Sequence, residues 1–425
     1  MKNYLIIFFI CAFSGIGFAQ DSTQTYKKRV LESTEVDILF SYYKQDGIHA
    51  AVSGGEGTEK LTDITPTIIV SLPLNDDDVI TVDAGISAYT SASSSNINPF
   101  DGNNTASPWV ESSGASMSDV LTHFNASYAH SSDNRNNIWS VNLNASFEYD
   151  YFSIGFGGGF TKLFNEKNTE FGVKAQVYLD TWNPQYPYEL RVGITNSNIT
   201  GTGTYSNVFN EFDNLGRNSY SLSFSFSQIL SKKLQGSLFF DLVMQDGLLS
   251  TPHQRVYFGD VNDFFIGNFQ LADDVEQLPD SRFKVPIGGR LNYYLNEIFT
   301  LRTYYRYYFD DWGVNSHTAS IEVPIKLGQK FTVYPMYRFY NQTAADYFAP
   351  KEVHLSTEEF YTSDYDLSKF DSHQYGLGVT YKDIFAKAKI LNFGLKTIDL
   401  RFNNYTRSDG LDAFIVSFGV KFVGD

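Results

Sequence analysis

The sequence predicts an all-β protein, a transmembrane antiparallel up-and-down β-barrel of about 16 strands. The clearest sign is the segment 219–227, in which five serines alternate strictly with Tyr220, Leu222, Phe224 and Phe226. A period of two is typical of a strand with one apolar face. The second sign is compositional, because aromatic residues make up 16% of a chain whose mean hydropathy is only −0.24. The third is that short polar turns alternate with long segments, as in outer-membrane barrels.

The N-terminus has the features of a secretory signal. Met1-Lys2 is followed by an apolar run and a small-x-small site at Gly17-Phe18-Ala19, which predicts a signal peptide over 1–19 and a periplasmic segment over 20–33. The run is short for the alternative, an uncleaved membrane anchor. The only cysteine, Cys11, lies inside this signal, so the mature chain would hold no disulfide or thiolate metal site. Without Lys2, 31 basic residues face 48 acidic ones, and this net charge of −17 argues against a nucleic-acid partner.

The mature chain can be divided into strands by its alternating apolar positions. Some outward rows carry no charge, such as Val36-Ile38-Phe40-Tyr42 and Phe414-Val416-Phe418-Val420-Phe422. Uncharged apolar rows of this length suit a surface that faces lipid. The pattern predicts strands near residues 34–43, 63–73, 79–90, 118–129, 138–149, 152–163, 169–180, 217–230, 233–245, 283–295, 298–310, 315–326, 331–344, 371–382, 390–405 and 412–423.

The connections support one barrel over 34–425. Short turns such as 75–78 and 165–168 would lie in the periplasm, and five long segments would form outer loops. These loops are predicted near 44–62, 91–117, 181–216, 247–282 and 346–370. An extra strand over Leu190 to Ile194 would make the strand count odd, so it is assigned to a loop. The alternation slips phase within 390–405, which predicts a bulge near Lys396.

A barrel of this size is too wide for side chains to fill, so its inward residues should line a channel or hold a plug. The tenth to thirteenth candidate strands present basic inward residues, namely Lys284, Arg290, Arg302, Arg306, Lys326 and Arg338. The earlier strands present mostly acidic ones, namely Glu35, Asp37, Asp83, Glu148, Glu170 and Asp241. The two sets could create a transverse field in the lumen, or they could simply be solvated or paired with each other.

The segment 247–282 is too apolar for a loop left in water. Its candidate constriction residues are Leu248, Leu249, His253, Arg255, Tyr257 and Phe258. The segment could fold back into the lumen as a constriction, or it could meet a partner outside the barrel. Insertion is favoured, because His253 and Arg255 would then add to the basic wall.

The sequence gives little support for catalysis. His123 and Ser127 share the inward face of one strand, but they stand about 13 Å apart at the rise of a strand, too far for a base and its nucleophile. The seven histidines show no paired spacing typical of a metal site. We therefore expect neither an enzyme nor a bound metal or cofactor.

Four motifs, in this order and spacing, resemble the bacterial family known as domain of unknown function 3570. They are Glu35-Val36-Asp37, Glu148-Tyr149-Asp150-Tyr151, Gly216-Arg217-Asn218-Ser219-Tyr220, and Gly247-Leu248-Leu249-Ser250-Thr251-Pro252 with Arg255-Val256-Tyr257. The resemblance implies an outer-membrane protein of Gram-negative bacteria without catalytic residues. It also implies neighbours that include a small lipoprotein, a thioredoxin-like protein and a flavin-transferring enzyme, and thus an envelope redox assembly whose redox groups belong to the partners.

Two functions follow as hypotheses. The first is a porin-like outer-membrane channel with a charged lumen that the 247–282 loop constricts. The second is a non-conducting scaffold barrel that docks a lipoprotein or periplasmic partner, and a surface enzyme is a distant third. The expected partners are outer-membrane lipids and, during biogenesis, the barrel-assembly machinery, which reads an aromatic residue near the C-terminus such as Phe422.

Overall fold

The computed structural model describes residues 29–90, 118–191, 198–205, 209 and 211–424. The regular secondary structure of the described chain is almost all strand, with helix confined to short 3₁₀ turns such as Ala51–Ser53. Sixteen long strands are formed within it. They are β1 (Glu35–Asp46), β2 (Leu61–Pro73), β3 (Asp78–Thr90), β4 (Ser118–Ser131), β5 (Asn137–Phe147), β6 (Tyr151–Phe164), β7 (Thr169–Trp182), β8 (Gly216–Ser231), β9 (Leu234–Gly247), β10 (Ser281–Tyr294), β11 (Thr300–Asp310), β12 (Asn315–Glu322, resuming at Ile325–Leu327), β13 (Phe331–Gln342), β14 (Phe370–Lys382), β15 (Phe393–Arg407) and β16 (Asp412–Gly424).

The strands close into a barrel. Each strand pairs antiparallel with the next, and β16 returns to pair with β1 from Glu35↔Val423 to Asp46↔Asp412. Closure leaves no strand edge with unpaired backbone groups, which a structure in lipid requires. The predicted fold class, a transmembrane antiparallel barrel of sixteen strands, is confirmed.

The two ends of the barrel differ in their connections. Turns such as 165–168 and 232–233 lie at one end, the turn end, where β1 begins and β16 finishes. The long segments 248–280 and 343–369 lie at the other, the loop end, together with the described residues 183–191 and 211–215. The predicted loop over 91–117 falls outside the described residues, as do the predicted signal peptide over 1–19 and the periplasmic segment up to residue 28.

The outward face is apolar along most of its height. Leu143 and Leu238 are 64% and 63% exposed, and Val141 and Trp139, in the same row as Leu143, are also exposed. Leaving so much apolar area in water would be costly, so lipid is its natural solvent. Among the described residues, no helix is both long and apolar enough to cross a membrane.

Two of the irregularities in strand pairing bear on the predicted strands. The register of β15 against β16 shifts between Leu395 and Thr397, which confirms the bulge predicted near Lys396. β12 is broken at Val323 and Pro324, where a continuous strand over 315–326 was predicted. Pro324 has no N–H for the ladder, and its carbonyl instead accepts from the Thr300 amide at 3.1 Å.

The best-buried apolar side chains lie outside the wall of the barrel. One cluster joins Tyr186, Leu190, Tyr257, Ala272 and Val275 from two long loops. A barrel wall one sheet thick cannot bury side chains on both faces by itself. The apolar core of this protein therefore forms between its loops.

Candidate functional site

Loops fold over the loop end of the barrel and form a compact body, which we call the cap. It consists of residues 47–60, 183–191, 248–280 and 343–369. The cap touches the wall at strand ends on opposite sides of the ring. The His253 ring lies 5.9 Å from that of Trp182, the last residue of β7, and Nη2 of Arg407, the last residue of β15, donates to the Tyr365 carbonyl at 2.8 Å. Since β7 and β15 are eight strands apart in a ring of sixteen, the cap spans the mouth.

Further clusters of buried side chains fasten the cap together. Val256, Phe258 and Tyr361 form one within the cap, whereas Leu249 and Leu278 pack against Trp312, which lies in the connection between β11 and β12 and thus ties the cap to the wall. The backbones also pair, because the amides of Gln277 and Tyr361 donate to each other's carbonyls at 3.1 and 2.7 Å. The segment 248–280 is thus bound to the loop 343–369 by apolar packing and by strand-like hydrogen bonds.

A buried ion pair crosses the middle of the cap. Nε of Arg255 donates to Oε1 of Glu189 at 2.6 Å and Nη2 donates to Oε2 at 3.2 Å, with the two side chains 1% and 0% exposed. Glu189 Oε1 also accepts from the Ala272 amide at 3.3 Å, and the guanidinium lies 5.3 Å from the centre of the Phe269 ring. Arg255 joins three parts of the cap, since Nη1 also donates to the Val52 carbonyl at 3.3 Å.

Several carboxyl groups of the cap are buried as well. Glu276 accepts from the Thr251 amide at 2.7 Å and from the Thr362 hydroxyl. Burial, together with the neighbouring Asp364, raises the pKa of Glu276 well above its ordinary range. Burial likewise raises the pKa of Asp273, to about 6. Burial in the cap therefore favours the protonated forms of Glu276 and Asp273.

The structure places the six candidate constriction residues within this cap. Leu248, Leu249, Arg255, Tyr257 and Phe258 are buried, and His253 is half-buried against Trp182. The segment packs against neighbouring loops at the mouth of the barrel, a position that differs both from insertion deep into the lumen and from contact with a separate partner outside. The expectation that His253 and Arg255 add to the basic wall is wrong. Glu189 compensates Arg255, and burial, then Arg255, lowers the pKa of His253 to about 4.

The six basic wall residues share the lumen face of their strands, opposite the exposed apolar rows. Lys284 and Arg290 lie on β10, Arg302 and Arg306 on β11, Lys326 on β12 and Arg338 on β13. Arg302 pairs with Glu322 at 2.8 Å. In the described part of the chain the other five form no ion pair, and the Nε of Arg306 is buried without a hydrogen-bond partner.

The six acidic residues also face inward, but they lie at different heights. Glu35 and Asp37 lie at the turn end of β1, where the Lys421 ammonium is 3.0 and 3.1 Å from their carboxylates. Asp83 and Asp241 lie partway along β3 and β9, and Glu170 opens β7 at the turn end. Glu148 follows β5 at the loop end and accepts from the Tyr89 hydroxyl. The acidic charge is thus dispersed and partly compensated, whereas the basic charge is mostly not.

Sequence reasoning missed some charged partners that the structure brings into contact. Lys421 could have been recognised as an inward residue, because it alternates with the predicted outward row Phe414 to Phe422, although only closure of the ring places it in register with Asp37. Glu189 could not, because it lies in a loop, 66 residues from Arg255. For the weak catalytic candidate, His123 Nε2 is 3.3 Å from Asp83 Oδ1, and Ser127 Oγ is 3.5 Å from the Thr81 carbonyl.

Comparisons with known proteins were made for the whole chain. A family model described as "Protein of unknown function (DUF3570)" matches residues 8–413. No curated protein matches the sequence. Among solved structures, the chain is similar to a bacterial polysaccharide outer membrane secretin at 11% identity, with 93% of this chain and 100% of that one covered and a TM-score of 0.45. It is also similar to OpdK of Pseudomonas aeruginosa, solved with vanillate, at 8% identity, with 92% of this chain and 99% of that one covered and a TM-score of 0.36. For OccAB4 of Acinetobacter baumannii the identity is 7%, the covered shares are 93% and 98%, and the TM-score is 0.39.

Proposed function

The chain belongs to the DUF3570 family of proteins of unknown function, and we propose that it is an outer-membrane channel that is closed at its mouth by the cap. The observation that carries this proposal is the combination of a closed sixteen-strand wall with a cap that crosses the mouth. A ring of sixteen strands is wide enough to enclose an aqueous lumen. Conduction through it would require the cap to shift.

The inward charges support selectivity for anions. Five basic residues of β10 to β13 carry no ion pair among the described residues, whereas Glu35 and Asp37 are compensated by Lys421. Uncompensated charge in a lumen with low-dielectric walls attracts ions of the opposite sign. The field across the lumen would then come chiefly from its basic side.

The orientation and the location follow from the same architecture. The apolar outer face suits lipid, and the turn end, which holds both ends of the barrel chain, would face the periplasm. The loop end with its cap would face outward. We also propose that the chain is exported by a cleaved signal peptide and belongs to a Gram-negative bacterium.

Single-channel conductance in a planar bilayer tests this function. The amide of Gly247 donates to the carbonyl of Asp280 at 2.7 Å, so β9 and β10 end at hairpin distance. Residues 248–279 can therefore be replaced by a short Gly-Ser turn without moving the wall. We expect rare, small steps from the intact chain and large, steady, anion-selective steps from this variant.

A matched control keeps the cap in place. Gly267 has a φ of +59°, and a Cβ there would meet nothing within 4 Å, so Gly267→Asn should conduct like the parent. Silence from all variants, with folding shown by heat-modifiable gel migration, would contradict the channel. That outcome would favour the second candidate, a scaffold that docks a lipoprotein or periplasmic partner of an envelope assembly, which an occluded mouth also suits.

A further inference from the structure

A recess of about 440 Å³ lies in the lumen wall and is lined by seven consecutive strands, β5 to β11. Its volume falls in the range typical of small-molecule sites. It lies away from the cap and includes none of the cap's residues. The proposed channel does not need it in order to conduct, so its construction calls for a separate explanation.

The floor of the recess is made of very small residues. Ser223 and Ser225 of β8 face inward beside Gly159 and Gly172. A Cβ at Gly172 would come within 2.6 Å of the Ser225 hydroxyl, so a larger residue would have to displace that hydroxyl. Because these side chains are small, the wall is recessed there. The serine hydroxyls can donate hydrogen bonds to a polar ligand and accept them from it.

Three charged side chains border this floor. Lys174 of β7 stands in register with Ser223, and Ser223 stands in register with Asp241 of β9, so the two charges flank a hydroxyl. Arg290 of β10 completes the border. In the described part of the chain none of the three forms an ion pair with another, and together they carry a net charge of one positive unit.

Aromatic rings hold Arg290 in place. Its guanidinium carbon lies 5.5 Å from the centre of the Phe239 ring and 5.5 Å from that of Tyr304. Rings within about 6 Å attract a guanidinium through its charge and leave its N–H groups free to donate. A guanidinium held this way is suited to bind a carboxylate with two parallel hydrogen bonds.

We propose that the recess is a binding site for a small hydroxylated carboxylate, such as a sugar acid. Arg290 and Lys174 hold its carboxylate, while Asp241, Ser223 and Ser225 bond to its hydroxyl groups. A neutral sugar would leave the net positive charge of the site uncompensated, and a dianion would be repelled by Asp241. As a solute site within the lumen, the recess rests on the proposed channel, although its occupancy does not depend on conduction.

Binding of D-glucuronate to the purified, detergent-solubilised full chain tests the site, with D-glucose and acetate as probes that lack the charge or the hydroxyls. Calorimetry or ligand-detected NMR would show glucuronate binding at least about tenfold more tightly than either probe. Arg290→Gln should weaken glucuronate binding about tenfold or more. Arg338→Gln removes an inward arginine outside the recess and should leave binding unchanged.

A further variant, Asp241→Asn, tests the proposed hydrogen bonds to the hydroxyl groups of the ligand. It should reduce the preference for glucuronate over acetate while retaining carboxylate binding. Equal losses in the Arg290 and Arg338 variants, or glucose binding as tightly as glucuronate, would overturn the site. Binding without conductance would leave the site standing and refute the channel, whereas conductance without glucuronate binding would refute the site alone.

Discussion

Breaking the buried ion pair of the cap should open the mouth. The substitution Glu189→Leu leaves the guanidinium of Arg255, 1% exposed, without the carboxylate that now accepts two of its hydrogen bonds at 2.6 and 3.2 Å. Removing one partner of a buried pair costs about 3–5 kcal/mol, because the remaining charge stays desolvated. At about 1.4 kcal/mol per factor of ten, the population of open caps should rise by roughly two to three and a half orders of magnitude.

Thiol labelling measures that population directly. Val256 is 1% exposed inside the cap, and Cys11 is the only natural cysteine. In a Val256→Cys background, the rate of labelling in detergent or vesicles reports how often the cap opens. The rate should rise by the factor given above in the Glu189→Leu variant.

Two further variants make the result specific. The double variant Glu189→Leu with Arg255→Met removes both charges and should label close to the parental rate, because an apolar pair can replace a buried ion pair. Glu56→Gln breaks the pair with Lys351, in which the Glu56 side chain is 48% exposed and the Lys351 side chain 13%. Since water screens an ion pair with one exposed partner, the pair contributes about 1 kcal/mol, and this control should change the rate by about fivefold or less. Equal rates in Glu189→Leu and Glu56→Gln would refute the reasoning.

Three other outcomes are expected. Because burial raises the pKa of Glu276 in the closed cap, the closed form binds the proton more tightly and loses stability as the pH rises above the ordinary carboxyl range. The labelling rate of Val256→Cys, divided by the rate for the same thiol in the unfolded chain, should therefore rise from about pH 5 to about pH 8. It should rise less in the Glu276→Gln variant. Leu278→Ala should loosen the cap by about 2–4 kcal/mol, seen as faster labelling, whereas Leu391→Ala, at a residue 91% exposed, should not. Gly247→Ala should impair folding on a gel-shift assay far more than Gly203→Ala. The φ angles are +107° and +105°, but only at Gly247 would the Cβ meet a backbone oxygen, at 2.0 Å.

The wall of the barrel could be predicted nearly strand by strand. Each strand can be recognised from its own alternation of polar and apolar residues, as in the serine row of β8. The alternation is local because successive side chains of a strand face lipid and lumen in turn. The bulge in β15 was predictable for the same reason, since an inserted residue shifts the phase of the apolar row. The break in β12 was missed, although Pro324 was visible, because alternation continued on both sides of it.

The cap could not be predicted in this way. The apolar composition of the segment 248–280 indicated that it is buried, but it did not indicate which surface covers it. Loops have no fixed period, and the Arg255–Glu189 pair depends on how four separate loops are brought to one mouth.

The sequence by itself thus determined the barrel and the alternation that sets its charged residues opposite the apolar rows, because both follow from a period of two. Only the tertiary structure decided which charges keep a partner. Lys421 meets Glu35 across 386 residues when the ring closes, and Arg255 meets the Val52 carbonyl across 203 when the loops converge. Such contacts depend on closure of the whole fold, because no local pattern fixes the distance between residues so far apart in the chain.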